Sequence, residues 1–151
     1  MATILEQVKN LEKLSESVIV EQMFQAIKKA EGEVIKANKL QLVKGEDVEG
    51  DIVGNYAKST QSYADRDGIF APKKFGDPYN FSWSENFLGG FKLALGNEHI
   101  TLYSTGVGNG DKKEFLTENN LFGLNEENLK EIIQTKVIPF INKFARATLK
   151  I

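Results

Sequence analysis

Apolar residues recur at spacings of three and four positions along the first part of the chain. The series comprises Leu5, Val8, Leu11, Val18, Met23, Phe24, Ile27, Val34, Ile35 and Leu42. This period predicts one long helix or two in tandem over residues 1–43. A break is expected at Ser15-Glu16-Ser17, where Ser17 can cap a second helix, and Gly32 weakens the later part. The three glycines of "KGEDVEGDIVG" end the helical period.

The apolar residues then thin out between Gly45 and Phe81, where glycine and small polar residues dominate. Such a long connection is uncommon in a small domain, and its aromatic residues are unusual for a disordered linker. We predict an extended arm or loop over residues 44–82. It orders either against its own domain or against a neighbouring subunit, and the sequence leaves both possibilities open.

After the arm, the spacing between apolar residues changes from three or four positions to two. Phe91, Leu93 and Leu95 alternate with other residues, and Ile100 and Leu102 repeat the pattern, which predicts strands and a hairpin over residues 83–105. Gly96-Asn97 is expected to supply the positive φ angles of the hairpin turn. A loop over residues 106–124 follows, and then a helix over residues 125–150 that Pro139 should kink or divide.

The aromatic residues of the arm and of the segment after it are candidate contacts with a neighbouring subunit. Tyr79, Phe81 and Trp83 alternate with Asn80 and Ser82, so an extended segment places these three rings on one face. That face either packs on the core or anchors an interface, where Trp and Tyr are enriched. The candidate interface residues are Tyr56, Tyr63, Phe70, Tyr79 and Trp83.

The stretch "ENNLFGLNEENLKEII" predicts how the last helix begins. Asn125 suits the N-cap, and Leu124 before it can pack on Leu129 inside the helix. Glu126 and Glu127 place negative charge in the first turn, where the helix dipole favours it.

Composition limits the classes of protein to which the chain can belong. Its 151 residues, 41% of them hydrophobic, suit one domain that is stable without crosslinks. There is no cysteine, which excludes disulfides and thiolate chemistry. Nineteen basic and 21 acidic residues give a net charge of -2, so nothing indicates more than non-specific contact with DNA. No segment resembles a signal peptide or a membrane span, so we expect a soluble, intracellular protein without a membrane partner.

No motif in the sequence points to catalysis, a cofactor or a metal. His99 is the only histidine, and we expect it at an edge or on the surface. The glycines of "STGVGNGDKK" lack the spacing of a phosphate-binding loop. Five acids, Asp47, Glu49, Asp51, Asp65 and Asp67, lack the order of a calcium loop and are expected to form a solvated surface. We therefore assign no catalytic, cofactor-binding or metal-binding residue and predict that the chain is not an enzyme.

Three stretches resemble a family of small proteins from tailed phages and prophages of Bacteroidetes-type hosts. They are "NKLQLVKGEDVEGDIVGNYAKST", "WSENFLGGFKLALGNEHITLYST" and "LFGLNEENLKEIIQTKVIPFI". The matching positions are Gln41, Leu42, Gly45, Gly50, Gly54 and Tyr56, then Phe87 to Phe91, then Gly123, Leu124 and Asn125. Two positions depart from the family pattern. Ser84-Glu85-Asn86 replaces a common Asp-Thr-Gly, and Asn119-Asn120 stands where an arginine is frequent.

The resemblance implies a fold and a role in the virion. The fold would be α+β, one domain over residues 1–151 in which N-terminal and C-terminal helices pack on a small, mainly antiparallel sheet. Phe122, Gly123, Leu124 and Asn125 would form a structural corner, with Phe122 under the sheet and Gly123 permitting the bend. The role would be that of a head-to-tail connector, neck ring or tail-completion subunit in a homo-oligomeric ring. Its partners would be portal, neck or tail proteins, and it would assemble in the host cytoplasm. A small phage hydrolase using the acids near Asp65, or a DNA-binding protein, is the alternative.

Overall fold

The computed structural model describes residues 3–68, 73–82, 86–97, 99–106 and 120–150. The helices and strands are α1 (Ile4–Leu11), α2 (Glu16–Lys29), α3 (Glu31–Val43), α4 (Lys58–Asp67), α5 (Asn86–Gly89), β1 (Phe91–Leu95), β2 (Ile100–Ser104), α6 (Glu126–Ile132) and α7 (Ile138–Leu149), with a π-helical turn at Ile133–Val137. The predicted α+β class is confirmed. Two compact units are present: the first comprises Met1–Val34 and Lys130–Ile151, and the second comprises Ile35–Leu129.

The N-terminal helical region contains two breaks, one more than the period predicts. The first lies between α1 and α2, where a break was expected, but its N-cap is Ser15 and not Ser17. The Ser15 hydroxyl accepts a hydrogen bond from the Val18 amide at 3.5 Å. The second separates α2 from α3 at Ala30, whose backbone leaves the helical region with φ -91° and ψ 14°.

The first unit is built from helices. In it, α7 packs against both α1 and α2. Ala26, Ala30 and Val34 are buried at intervals of four residues, and these small side chains let neighbouring helices approach closely. The ammonium of Lys29 lies 4.5 Å from the centroid of the Phe140 ring, which adds a cation–π contact across the same interface.

The irregularity expected at Pro139 is a π-helical turn. Proline cannot donate to the carbonyl four residues earlier, and its ring clashes with that carbonyl, here that of Thr135. The wider π-helical turn, Ile133–Val137, includes Thr135 and lies directly before α7. The backbone thus accommodates the proline by widening locally.

The second unit contains the predicted hairpin. Strands β1 and β2 pair antiparallel, with Phe91 opposite Ser104 and Leu95 opposite Ile100. The Gly96 amide donates to the His99 carbonyl at 2.8 Å and thereby closes the hairpin. The positive φ that was predicted at Gly96 is absent, and its amide is instead paired with the His99 carbonyl.

The core of the second unit lies beside this hairpin. Leu42, Phe91 and Leu121 are buried together, and partly buried residues pack around them: Ile35, Val53, Phe81, Phe87, Leu88 and Phe122. Leu42 and Ile35 come from α3, so the N-terminal helical region packs on the sheet as predicted. The Phe91 ring centroid lies 5.3 Å from that of Phe87 and 5.6 Å from that of Phe122.

Two predicted loops differ in what the structure shows of them. The segment predicted as an arm or loop over residues 44–82 contains α4, a ten-residue helix that the sequence pattern does not predict. Most of the predicted loop over residues 106–124, including the glycines of "STGVGNGDKK" beyond Gly106, lies outside the described residues.

Candidate subunit interface

The described parts of segment 44–82 are ordered against their own unit. The Tyr56 amide donates to the Asp77 carbonyl at 2.9 Å, and the Gly76 amide donates to the Tyr56 carbonyl at 3.0 Å. The Tyr79 amide donates to the Gly54 carbonyl at 2.9 Å. These bonds join residues that are 20 or more positions apart, so both halves of the segment are fixed within one chain.

Two glycines allow the two halves to lie this close. Gly45 has a φ of 85°, and a Cβ atom there would lie 2.7 Å from both the Pro78 Cβ and the Tyr79 carbonyl oxygen. A Cβ atom on Gly54 would lie 2.6 Å from the Tyr79 ring. Larger residues at either position would therefore separate the halves.

Tyr56 is a core residue of this segment. Its hydroxyl donates to the Asn80 side-chain oxygen at 2.8 Å and accepts from the Asn80 amide at 2.9 Å. Its ring meets Tyr79 edge-on, with centroids 5.0 Å apart. Burial raises the pKa of the Tyr56 hydroxyl. Tyr56 is only 8% exposed, so little of its side chain is left to contact a neighbouring subunit, and its ring packs within its own unit.

Lys73 is buried beside Tyr56 and has no counterpart among the predicted site residues. Its ammonium donates to the Asn80 side-chain oxygen and to the Ser82 carbonyl, the latter at 2.7 Å. It lies 5.1 Å from the centroid of the Tyr56 ring. Burial lowers the pKa of Lys73 to about 8. We refer to Tyr56, Lys73 and Asn80 as the lysine cluster. Lys73 precedes Phe75 and Asn80 follows it, so their hydrogen bond holds the chain on both sides of Phe75.

Among the described residues of the same segment, two aromatic side chains are exposed. Tyr63, on α4, is 55% exposed, and Phe75 is 58% exposed. The Arg66 guanidinium lies 5.1 Å from the Tyr63 ring centroid, and the Lys58 ammonium lies 5.3 Å from that of Phe75. The Phe75 amide is held by the side-chain oxygen of Gln61 at 2.8 Å. We refer to Tyr63 and Phe75 as the exposed aromatics.

The other predicted interface residues divide into two groups. Tyr79 is half-buried between Tyr56 and Phe81, so most of its ring serves the fold. Phe70 and Trp83 lie outside the described residues. Of the five predicted contacts, Tyr63 is the one that the described structure places on the surface. Phe75 is also exposed, and no pattern in the sequence predicted it as a contact.

The predicted corner at residues 122–125 is held by two buried amides of α3. The Asn38 side-chain nitrogen donates to the carbonyls of Leu121 and Gly123 at 3.1 and 2.6 Å. The Gln41 side-chain nitrogen donates to the Asp47 carbonyl at 2.6 Å, and its oxygen accepts from the Asn125 amide at 2.9 Å. Asn38 and Gln41 thus satisfy backbone groups that a hydrophobic residue would leave unpaired.

Three of the corner residues, Phe122, Gly123 and Asn125, make specific contacts in the structure. The Asn125 side chain accepts from the Asn128 amide at 3.0 Å and caps α6. Phe122 packs beside Phe91 in the core. Gly123 is required by a close approach and not by an unusual bend, since its φ is not positive and a Cβ atom there would lie 2.8 Å from Val48.

The acids near Asp65 do not form an enclosed group. Asp65 is exposed, and Asp67 pairs with the neighbouring Arg66 at 2.8 Å. The Asp47 side chain accepts from the amides of Glu49 and Asp51, at 2.9 Å each, and stabilises a turn. Within the described ranges, no three His, Asp or Glu side chains are placed to hold a metal ion. His99 is exposed, as predicted.

Comparison of the chain with profiles of protein families, with curated proteins and with solved structures found no match. None of the helices in the described part of the chain has both the length and the apolar character needed to cross a bilayer.

Proposed function

We propose that this chain is a structural virion protein of a tailed bacteriophage: a head-to-tail connector, neck ring or tail-completion subunit that assembles as an oligomeric ring. The family resemblance at Gln41 to Tyr56, at Phe87 to Phe91 and at Gly123 to Asn125 suggests the role. The observation that carries it is the pair of exposed aromatics, Tyr63 and Phe75, on a segment fixed by the lysine cluster.

Exposed rings on a fixed backbone suit assembly. A side chain that is already positioned loses little conformational entropy when a partner covers it, so more of the contact energy appears as affinity. Aromatic residues supply much of the binding energy of protein interfaces. The adjacent Lys58 and Arg66 can remain at the rim of such an interface, where charges improve specificity more than affinity.

The proposed partners are further copies of the chain in a ring and the adjacent neck, portal or tail proteins. The ring would form in the host cytoplasm and remain in the virion. Contact with DNA in its lumen would be non-specific, because a net charge of -2 lacks the basic excess of proteins that bind phosphate backbones.

The experiment is incorporation of variants into particles. Phage carrying Tyr63→Ala and Phe75→Ala together should incorporate less of this protein per particle than wild type. Tyr103→Ala is the matched control, since Tyr103 is 41% exposed and belongs to β2 and not to segment 44–82. Equal incorporation of the double variant and the control, with both proteins folded, would contradict the assignment of the exposed aromatics to assembly.

A further inference from the structure

Phe75 stands at the corner of a tight turn. The Asp77 amide donates to the Lys74 carbonyl at 3.1 Å and closes the turn, and Gly76, its third residue, has a φ of 87°. This is the geometry of a type II turn, whose own hydrogen bond does not use the amide of the second residue. That residue is Phe75, so its amide is available to an acceptor outside the turn.

The acceptor is the side chain of Gln61 on α4. The Phe75 amide donates to Gln61 Oε1 at 2.8 Å, although the two residues are 14 positions apart. Lys58 precedes Gln61 by three residues and so lies on the same side of α4. Its ammonium lies 5.3 Å from the centroid of the Phe75 ring. One side of α4 therefore contacts both the backbone and the ring of Phe75.

The bond to Gln61 contributes more to the position of Phe75 than to the stability of the fold. It lies at the surface, where water can replace a lost hydrogen bond, so its removal changes the free energy of unfolding little. The Phe75 side chain, however, is 58% exposed and stands on this turn. Rotation of the turn backbone would redirect the ring, and an acceptor carried by a helix opposes that rotation.

Gln61 also relates the two exposed aromatics to each other. Tyr63 follows Gln61 by two residues on α4, and the Gln61 side chain joins that helix to the turn that carries Phe75. A partner that contacts both rings binds more tightly when their relative position is already fixed, because less conformational entropy is lost on binding. We propose that Gln61 is a positioning residue of the subunit interface, which holds Phe75 in the orientation that the neighbouring subunit binds. This inference rests on the proposed function.

Three variants separate positioning from a general effect on the fold. Gln61→Met removes the oxygen acceptor and keeps a side chain of similar length, whereas Gln61→Glu keeps an acceptor at the same position. Ser62→Ala is the matched control on α4. It removes a surface hydrogen bond, which the Ser62 hydroxyl donates to the Lys58 carbonyl at 3.1 Å, and leaves the bond between Phe75 and Gln61 intact.

The first measurement uses the free protein and is hydrogen exchange of the Phe75 amide, followed by NMR. Exchange should be about threefold faster or more in Gln61→Met than in wild type, because the bond that protects the amide is lost. Exchange in Gln61→Glu and in Ser62→Ala should be no faster than in wild type. Unchanged exchange in Gln61→Met would overturn the proposal.

The second measurement is the share of each variant in particles when it is co-expressed with wild type at an equal level. The share of Gln61→Met should fall about threefold or more, since the loss recurs at each subunit contact, and Gln61→Glu should keep the wild-type share. In a Phe75→Ala background, Gln61→Met should cause no further fall, because Gln61 acts through the Phe75 ring. A further fall of equal size, or a fall of equal size in Ser62→Ala, would overturn the proposal.

The two proposals can fail separately. A wild-type share for Tyr63→Ala combined with Phe75→Ala would contradict the proposed function itself. A reduced share for that double variant, together with a wild-type share for Gln61→Met, would contradict the role of Gln61 alone.

Discussion

Lys73 should make the stability of this protein rise with pH. Burial lowers the pKa of its ammonium from the ordinary 10.5 to about 8. Between these values the unfolded chain holds a proton that the folded chain has lost, so raising the pH through this window stabilises the fold. Below about pH 8 the folded protein contains the buried ammonium, and its desolvation opposes folding.

The size of the effect follows from the two pKa values. The full difference corresponds to about 3 kcal/mol. About 2 kcal/mol of it is recovered between about pH 7 and about pH 9.5, since the unfolded lysine is still mostly protonated at the upper limit. Tyr56 sets that limit, because burial raises the pKa of its hydroxyl. Above about pH 10 the unfolded state loses a tyrosine proton that the folded state keeps, and stability falls again.

The assay is urea unfolding at the two pH values, followed by circular dichroism, for wild type, Lys73→Met and Lys74→Met. Lys74 is the matched control because it is the adjacent lysine and is exposed. As the pH rises, the free energy of unfolding of wild type and of Lys74→Met should increase by about 2 kcal/mol more than that of Lys73→Met, with unchanged m-values. An equal gain in all three proteins would refute the reasoning, as would loss of the gain in Lys74→Met.

Three substitutions test the other contacts that hold the second unit, each by urea unfolding. Gly50→Ala should lower the free energy of unfolding by about 1 kcal/mol, because alanine is strained at the φ of 85° that Gly50 adopts. Gly45→Ala should lower it by about 2 kcal/mol more, because Gly45 has the same φ and its added Cβ would also meet the Tyr79 backbone. Equal losses of stability in the two variants would contradict this contact. Asn38→Ala should destabilise by about 1 to 3 kcal/mol, because the Leu121 carbonyl loses its Asn38 donor and the Gly123 carbonyl keeps only the 3.3 Å bond from the Gln41 side chain. A cost below about 0.5 kcal/mol, that of an ordinary surface change, would refute this. Asn125→Ala should cost about 1 kcal/mol through loss of the α6 cap, and Asn125→Ser, whose hydroxyl can accept the same bond, should recover most of it; no recovery would exclude capping as the cause.

The features that the sequence predicts well are those set by nearby residues. The helical period, the alternating strands and the Asn125 cap each depend on residues within a few positions, and each is present in the structure. Helix α4 escapes prediction because its sequence, "KSTQSYADRD", is polar and buries only Ala64 fully. Its stability therefore depends on tertiary contacts, and no apolar period reveals it.

Features that depend on distant residues were not predictable from local pattern. Tyr56 is buried because Asn80, 24 residues later, satisfies its hydroxyl. Lys73 is buried because the same residue and Ser82 accept from its ammonium, whereas a lysine in a polar segment is normally solvated. The spacing of apolar residues also predicts that α1 is amphipathic. Which side of α1 is buried depends on its packing against α7, which the local sequence does not specify.

The central claim, that this chain forms a ring in a tailed-phage particle, is tested most directly by its copy number. Quantitative peptide mass spectrometry on purified virions should find a fixed number of copies per particle, about six or about twelve, because a closed ring has a fixed number of subunits. Absence of the protein from the particle, or a copy number that varies freely between preparations, would contradict the account.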